Sequence, residues 1–146
     1  MRIPILVGVV LVLALGTTMS VQASSDPAGI YLEMANGSRV KGRKTAVYFV
    51  DQGVLRHVHY KAYRRLWRGW GGIAHVNRIP EAAVGEPMRG TCRLVRVPGK
   101  RHVWFIDNDR VRRWVPSFAV SQFSWAKVGQ ITAEALADYE QGPDLR

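Results

Sequence analysis

The sequence is poor in cysteine, in acidic side chains and, beyond its first residues, in long apolar runs. Its one cysteine, Cys92, cannot close an intramolecular disulfide, so the chain is not a disulfide-stapled fold. Only 11 Asp and Glu stand against 21 Lys and Arg, which gives a formal net charge of +10. No Gly-x-Ser-x-Gly sequence occurs, which argues against a serine hydrolase of that type. A hydrophobic content of 47% excludes an intrinsically disordered chain, and 146 residues fit one small domain.

The first 23 residues have the pattern of a secretory signal peptide. Arg2 supplies the positive charge, residues 3–15 are almost entirely apolar, and Val21-Gln22-Ala23 suits signal peptidase. The apolar run is shorter than the roughly 20 residues that a membrane-spanning helix needs. We therefore expect cleavage after Ala23, a secreted or periplasmic location, and no transmembrane span in the mature chain.

The positive charge is concentrated in the middle of the chain. Residues 36–118 contain 18 basic and 5 acidic side chains, whereas residues 119–146 contain 2 and 4. Such an excess indicates an anionic partner. Export makes nucleic acid a poor candidate and favours an anionic surface polymer, an acidic glycan or an acidic protein. Peripheral contact with an anionic membrane surface is a further alternative.

An internal repeat organises the sequence. Val47–Asp51 matches Val103–Asp107 at an offset of 56, and Trp70 matches Trp125 at an offset of 55. Repeats of this kind indicate structural units that pack against each other. The predicted organisation is a signal peptide at 1–23, a linker at 24–35, repeat units at 36–88 and 89–142, and a tail at 143–146.

Each unit is predicted to open with a β-hairpin. Runs of β-branched and aromatic residues favour strands, and Asp51-Gln52-Gly53 and Asp107-Asn108-Asp109 favour turns. Residues 60–67, 117–125 and 132–141 have helical spacing, with Ser117 as an N-cap of the second segment. The predicted fold class is α+β: two pseudo-repeats of short antiparallel strands with one or two short helices each, packed as one small domain. The expected core residues are Val47, Phe49, Trp70, Val103, Phe105 and Trp125.

The repeat unit resembles a known type of sequence. It is similar to the tandem repeats, each of about fifty residues, of secreted bacterial surface and cell-wall-associated proteins. The shared order is an aromatic-apolar strand ending in Asp, a turn, a basic-apolar strand, an aromatic segment and a Trp-x-x-Val-x-x-Ile segment. The residues that carry the resemblance are Val47–Asp51, 56–58, Val103–Asp107, 112–116 and 125–131. The resemblance implies a non-catalytic module that is associated with a surface and is often an accessory to a larger protein.

Arginine side chains are the main candidates for binding. The planar guanidinium group matches carboxylate, phosphate and sulfate, and arginine outnumbers lysine in this chain. Arg56 and Arg112 lead because they occupy the same place in the two aligned units. The other predicted binding residues, basic or aromatic, are Arg113, Arg64, Arg65, Arg68, Lys100, Arg101, Tyr63 and Trp67. We expect a secreted, non-catalytic module that attaches to an anionic polymer or acidic partner through arginine-rich strands.

Two other functions stay open. A small secreted hydrolase would use Asp107 or Asp109, although an Asp at a turn more often accepts hydrogen bonds from the backbone. A structural or inhibitory protein would instead present an apolar groove to a protein partner.

Metal and thiol chemistry are poorly supported by the sequence. His57 and His59 share one face of a strand, but the residues aligned with them, Arg113 and Val115, cannot form a matching site. Cys92 lies in an apolar-basic strand, where a buried inert thiol is the usual outcome. We expect no metal and no other cofactor.

Overall fold

Two β-hairpins with closely similar sequences belong to two separate sheets. The computed structural model describes residues 34–146, so the predicted signal peptide and nearly all of the predicted linker lie outside the described residues. The described residues form a small α+β domain, which confirms the predicted fold class. The sheets are mixed rather than purely antiparallel, because short strands join their edges in parallel.

The first sheet has the strand order β3-β2-β1-β4. Its strands are β1 (Arg39–Lys41), β2 (Val47–Asp51), β3 (Val54–His57) and β4 (Ala74–His75). The strands β1, β2 and β3 pair antiparallel, whereas β4 pairs parallel with β1.

The second sheet has the order β8-β5-β6-β7-β9. Its strands are β5 (Arg93–Arg96), β6 (Val103–Asp107), β7 (Val111–Val115), β8 (Gly129–Gln130) and β9 (Glu140–Gln141). The strand β8 pairs parallel with β5, as β4 does with β1. An isolated parallel bridge from Leu55 to Val84 occupies the place in the first sheet that β9 has in the second.

The helices are short and differ between the two halves. Helix α1 (Tyr60–Leu66) follows the first hairpin, and helix α2 (Ala133–Ala137) precedes β9. Thr132 caps α2, because its side chain accepts a hydrogen bond from the Ala135 amide. The predicted helix over 132–141 ends early because residues 140–141 pair with β7 instead. Across residues 34–146, no helix is long and apolar enough to cross a membrane.

The predicted helix over 117–125 is wrong. This segment forms turns, followed by a short 3-10 helix at Trp125–Lys127. The Ser117 hydroxyl accepts a hydrogen bond from the Ala119 amide at 3.1 Å, within a local turn rather than a helix cap. Tertiary contacts explain the departure, since the Ser121 carbonyl accepts a hydrogen bond from the Trp67 indole at 2.7 Å.

Side chains from both halves build one shared core. Alternate residues of the hairpin strands face inward, among them Val47 and Phe49 of β2 and Val103 and Phe105 of β6. Each sheet has a smaller apolar cluster on its other face, around Val50 in the first and around Ile106 in the second. Because the central core draws on both halves, neither hairpin buries its inner face alone.

Two predicted core residues lie on the surface. Trp70 is 59% exposed and Trp125 is 62% exposed, so the prediction that they are buried is wrong. The central core instead holds Trp67 and Phe123, whose ring centroids are 5.3 Å apart. The spacing that aligns Trp70 with Trp125 identified a shared position, but it did not reveal which side of the chain faces the core.

The strand register also corrects the alignment of the two halves. Phe49 pairs with Arg56 in the first hairpin, and Phe105 pairs with Arg113 in the second. Arg113, not Arg112, is therefore the equivalent of Arg56. The reason is that the second turn is one residue longer. A shift of one residue moves a side chain to the other face of a sheet, and Arg112 lies on the outer face as a result.

Candidate functional site

Four charged side chains meet where the inner faces of the two hairpins come together. Asp51 ends β2 and Asp107 ends β6, while Arg56 and Arg113 lie on the neighbouring strands. We call these four residues the Arg–Asp cluster. The two arginines are almost completely buried, at 6% and 4% exposure respectively. Because alternate residues of a strand lie on the same face, each hairpin places one Asp and one Arg on its inner face.

The ion pairs of the Arg–Asp cluster cross between the halves. Arg56 donates to both oxygens of Asp107, with both Nη–Oδ distances 2.7 Å. Arg113 donates to both oxygens of Asp51, at 2.6 and 2.9 Å. The Nε atoms donate to backbone carbonyls, Arg56 to Glu86 and Arg113 to Pro143, each at 2.9 Å. Paired, two-pronged contacts of this kind are among the stronger polar interactions in proteins.

The charges in the cluster hold each other ionised. Burial alone would raise the pKa of Asp51, but hydrogen bonds and attraction from Arg113 and Arg56 leave that pKa below its usual value. Burial alone would lower the pKa of Arg56, yet Asp107 and Asp51 together raise it. With two arginines and two aspartates, the formal charges of the cluster cancel.

An open cavity of about 410 Å³ adjoins the Arg–Asp cluster. Glu86 and Arg110 also line it, and these two exposed side chains pair with each other at 2.8 Å. The guanidinium donors of Arg56 and Arg113 already point at carboxylates and carbonyls in this arrangement. The cluster therefore joins the two halves. Because most N–H groups of its two arginines already donate hydrogen bonds, few are free to bind an incoming anion.

The carboxylates named for hydrolysis are also held by cations. Asp107 lies against Arg56, and Asp109 is an exposed residue that accepts hydrogen bonds from Tyr139 at 2.8 Å and from Arg93 at 3.2 Å. The hydrogen bonds from Tyr139 and Arg93 lower the pKa of Asp109. A general acid needs a raised pKa, so this environment favours the ionised form instead.

Arg112 lies apart from the Arg–Asp cluster. Its guanidinium carbon is 5.2 Å from the ring centre of Trp104, on the outer face of the second sheet. One Nη atom donates to the Leu136 carbonyl at 3.3 Å, and its buried Nε atom has no hydrogen-bond partner within residues 34–146. The structure thus separates Arg112 from Arg56, with which the sequence had grouped it.

The aromatic residues predicted to bind are buried. Tyr63 and Trp67 belong to the shared core. The Tyr63 hydroxyl donates to the Gly69 carbonyl at 2.6 Å, so it shapes the loop after α1. A direct stacking role for these two rings would require that loop to open.

Four basic side chains project from the outer side of α1 and the loop after it. Lys61, Arg64, Arg65 and Arg68 are exposed, and we call them the basic helix surface. Their spacing explains the arrangement, because Ala62, Tyr63, Leu66 and Trp67 occupy the buried side of the same segment. Among residues 34–146, none of the four forms an ion pair. Arg64 donates to the Tyr60 hydroxyl at 3.1 Å.

The predicted pair Lys100 and Arg101 is exposed in a different place. Both follow Gly99 in the loop between β5 and β6, and Gly99 has the positive φ of 77° that this turn requires. They form a second, smaller basic patch on the opposite half from α1.

The histidine pair offers little for a metal ion. The ring centroids of His57 and His59 are 5.4 Å apart, and burial followed by repulsion from His59 lowers the pKa of His57. No group of three metal-ligating side chains occurs within the described range 34–146.

The sequence did not identify Trp70 and Trp125 as surface residues. Trp70 stacks on Tyr63 and Trp125 stacks on Phe118, with centroid distances of 4.1 and 4.2 Å. Both pairs match at the offset of 55, so the same construction occurs twice. That repeat offset was a signal for a shared role, but exposure could be learned only from the packed structure.

Comparison with known protein families, with curated proteins and with solved structures finds no match to this chain.

Proposed function

We propose that this protein is a secreted, non-catalytic binding module that attaches to an anionic polymer through the basic helix surface. The observation that carries the proposal is that Lys61, Arg64, Arg65 and Arg68 are exposed together without carboxylate partners in residues 34–146. The proposal replaces Arg56 and Arg113 as the binding groups, because their donors are used inside the Arg–Asp cluster.

The fold itself does not require this concentration of charge. At the offset of 55 that aligns Tyr63 with Phe118, the positions matching Lys61, Arg64 and Arg65 hold Pro116, Ala119 and Val120. Like charges at helical spacings of three and four residues are slightly destabilising. The row of like charges on α1 lowers stability slightly, and the other half of the domain lacks it. Binding to a partner therefore explains this row better than folding does.

The attraction would be strong at low ionic strength and weak at high ionic strength. Exposed charges are screened over roughly 8 Å at physiological salt, so binding through exposed arginine and lysine side chains falls as salt rises. Arginine suits this task because it pairs with carboxylate, sulfate or phosphate in two-pronged geometry. Such a partner agrees with the export that the N-terminal sequence predicts.

The test is retention of the purified protein on immobilised dextran sulfate during a salt gradient. A variant with Lys61, Arg64, Arg65 and Arg68 all replaced by Gln should elute at clearly lower salt than the parent. The matched control replaces Arg43, Lys44, Lys100 and Arg101 by Gln, which removes the same charge from other exposed positions. Circular dichroism should show that both variants are folded.

Two results would contradict the proposal. The first is an equal shift in both variants, which would mean that net charge alone governs retention. The second is no retention of the parent protein at low salt.

A further inference from the structure

Two surface tryptophans form rigid, flat platforms at matched positions of the two halves. Trp70 and Trp125 each expose more than half of their surface. Each ring lies nearly parallel to a second aromatic ring, with interplanar angles of 13° to Tyr63 and 26° to Phe118. The supporting ring covers one face of each indole and leaves the other face towards solvent. A side chain held in this way loses little conformational freedom when a ligand stacks on it.

Both platforms lie at the C-terminal end of α1. The Ser124 amide donates to the Leu66 carbonyl at 2.9 Å, which fixes the chain just before Trp125 to the end of the helix. Arg39 donates to the Gly71 carbonyl at 2.7 Å and to the Gln122 side chain at 2.8 Å. It thereby joins the loop that contains Trp70 to the segment that precedes Trp125.

A cleft of about 310 Å³ lies between these two segments. Arg68, Gly69 and Gly71 line one side, beside Trp70, while Gln122 and Ser124 line the other, beside Trp125. The buried residues Arg39 and Trp67 also line the cleft, as its inner wall. Both tryptophans are therefore adjacent in sequence to residues that line this cleft.

The cleft has a positive inner wall, and no carboxylate of residues 34–146 pairs with it. Arg39 is 4% exposed, and its partners are the Tyr63 hydroxyl, two backbone carbonyls and the Gln122 amide oxygen rather than a carboxylate. Its guanidinium carbon also lies 5.1 Å from the centre of the Trp67 ring. A buried cation that lacks a paired anion is unfavourable unless something compensates it. The strand register gives Leu94 as the equivalent residue of the second half, so the fold accommodates an apolar side chain here.

We infer that Trp70, Trp125, Arg68 and Arg39 form a binding cleft for a polysaccharide of carboxylate-bearing pyranose sugars. The inference rests on the proposed function and adds the class of polymer to it. The C–H faces of pyranose rings would stack on the free faces of the two indoles. A sugar carboxylate would pair with Arg68, which is exposed and forms no ion pair in residues 34–146.

The chemistry of the cleft favours this ligand over an acidic protein. An acidic protein has the charge but not a succession of flat saturated rings. Single-stranded nucleic acid has both charge and flat bases, which stack on aromatic side chains. The predicted export of the chain favours the polysaccharide, and nucleic acid becomes an outcome of the test.

The test measures affinity of the purified protein for polygalacturonate oligosaccharides, with poly-L-glutamate and oligothymidylate as comparison ligands. Trp70→Ala and Trp125→Ala should each weaken polygalacturonate binding by about tenfold, the scale of losing one stacked ring. The same variants should bind poly-L-glutamate as the parent does. Trp114→Ala is the matched control, because Trp114 is a partly exposed tryptophan on β7, in the other half of the domain from α1.

Each remaining outcome overturns a stated part of the argument. If both tryptophan variants keep the parent's affinity for polygalacturonate, the inference that the cleft binds this polymer is wrong. The proposed function would still stand if binding is lost when the basic helix surface is neutralised. Parent protein that binds none of the three polyanions would overturn both. Tighter, tryptophan-dependent binding to oligothymidylate than to polygalacturonate would show that the cleft takes nucleic acid.

Discussion

Arg56 in one half of the domain and Asp107 in the other are joined by two hydrogen bonds of 2.7 Å. The reciprocal pair of Arg113 and Asp51 lies beside them, and Arg56 also reaches Asp51 at 3.1 Å. The two halves therefore exchange charged partners. If the halves separated, each Asp would keep only the longer contact with the arginine of its own half, 3.1 Å for Asp51 and 3.6 Å for Asp107.

Removal of one member of the Arg–Asp cluster should be strongly destabilising. Arg56→Ala leaves the carboxylate of Asp107 partly buried, and within residues 34–146 its remaining ion-pair partner is Arg113, 3.6 Å away. Breaking a buried ion pair in this way typically costs about 3–5 kcal/mol. The measurement is the free energy of unfolding in urea, followed by tryptophan fluorescence.

The matching double variant, Arg56→Ala with Asp107→Ala, provides the control. It removes a cation and an anion together, so its loss of stability should be smaller than the sum of the two single losses by about 1–3 kcal/mol. Strict additivity would show that the contact contributes little to the stability of the domain.

The Arg–Asp cluster should make the protein sensitive to acid. The pKa of Asp51 is lower in the folded state than its ordinary value of 3.8, so the unfolded chain binds the proton more readily. The resulting stability is fully present above that ordinary value and is lost as pH falls through the lower folded-state pKa. Urea unfolding at pH 7, 4 and 3 should show a decrease that is confined to the acid range.

The Asp51→Asn variant tests the origin of this sensitivity. It should be less stable than the parent at pH 7, and its stability should fall less between pH 4 and pH 3. An identical pH profile in parent and variant would assign the acid sensitivity to other carboxylates.

Cys92 should be inert towards thiol reagents in the folded protein. The thiol is buried and lies 3.2 Å from the Asn108 side-chain oxygen. Burial, as the largest influence, raises its pKa to about 11, so almost no thiolate is present at pH 8. An excess of an aromatic disulfide reagent should modify the thiol rapidly in urea and very slowly without it. Fast modification of the folded protein would mean that the β5 region opens readily.

Arg39→Leu should separate the role of Arg39 in the cleft from any role in folding. Leu94 occupies the equivalent register position in the second half, and the Gly69 and Gly71 carbonyls that lose a donor belong to exposed residues. We expect a decrease in unfolding free energy below about 1.5 kcal/mol, the scale of one ordinary hydrogen bond.

Limited proteolysis is the second readout for this variant. Trypsin should cleave after Arg68 faster than in the parent, because Arg39 no longer ties the loop that follows to Gln122. A loss of several kcal/mol in global stability would instead identify Arg39 as a structural residue of the core.

Local patterns account for the parts of the fold that the sequence predicted well. The alternation in Val47–Asp51 and Val103–Asp107 follows from the period of two in a strand, which depends only on neighbouring residues. The turns after these strands also agree with the sequence, since Gln52, Asn108 and Asp109 adopt positive φ values. Helix α1 likewise follows from apolar spacing within one short segment.

The candidate site was harder to predict because it depends on register and on contacts between distant segments. One additional residue in the second turn decides that Arg113 faces the core while Arg112 faces outward. No local preference distinguishes these two neighbouring arginines. The same limitation applies to Trp70 and Trp125, which are apolar by composition and yet lie on the surface.

The sequence by itself determined the charge excess, the two hairpins and the α+β class, because composition and short-range periodicity are properties of neighbouring residues. Only the tertiary structure decided which cations are available. It places Arg56 and Arg113 against the aspartates of the opposite half, and it leaves Lys61, Arg64, Arg65 and Arg68 in solvent. The physical reason is that a charge is neutralised by what lies next to it in space, and proximity between the two halves exists only after they have packed.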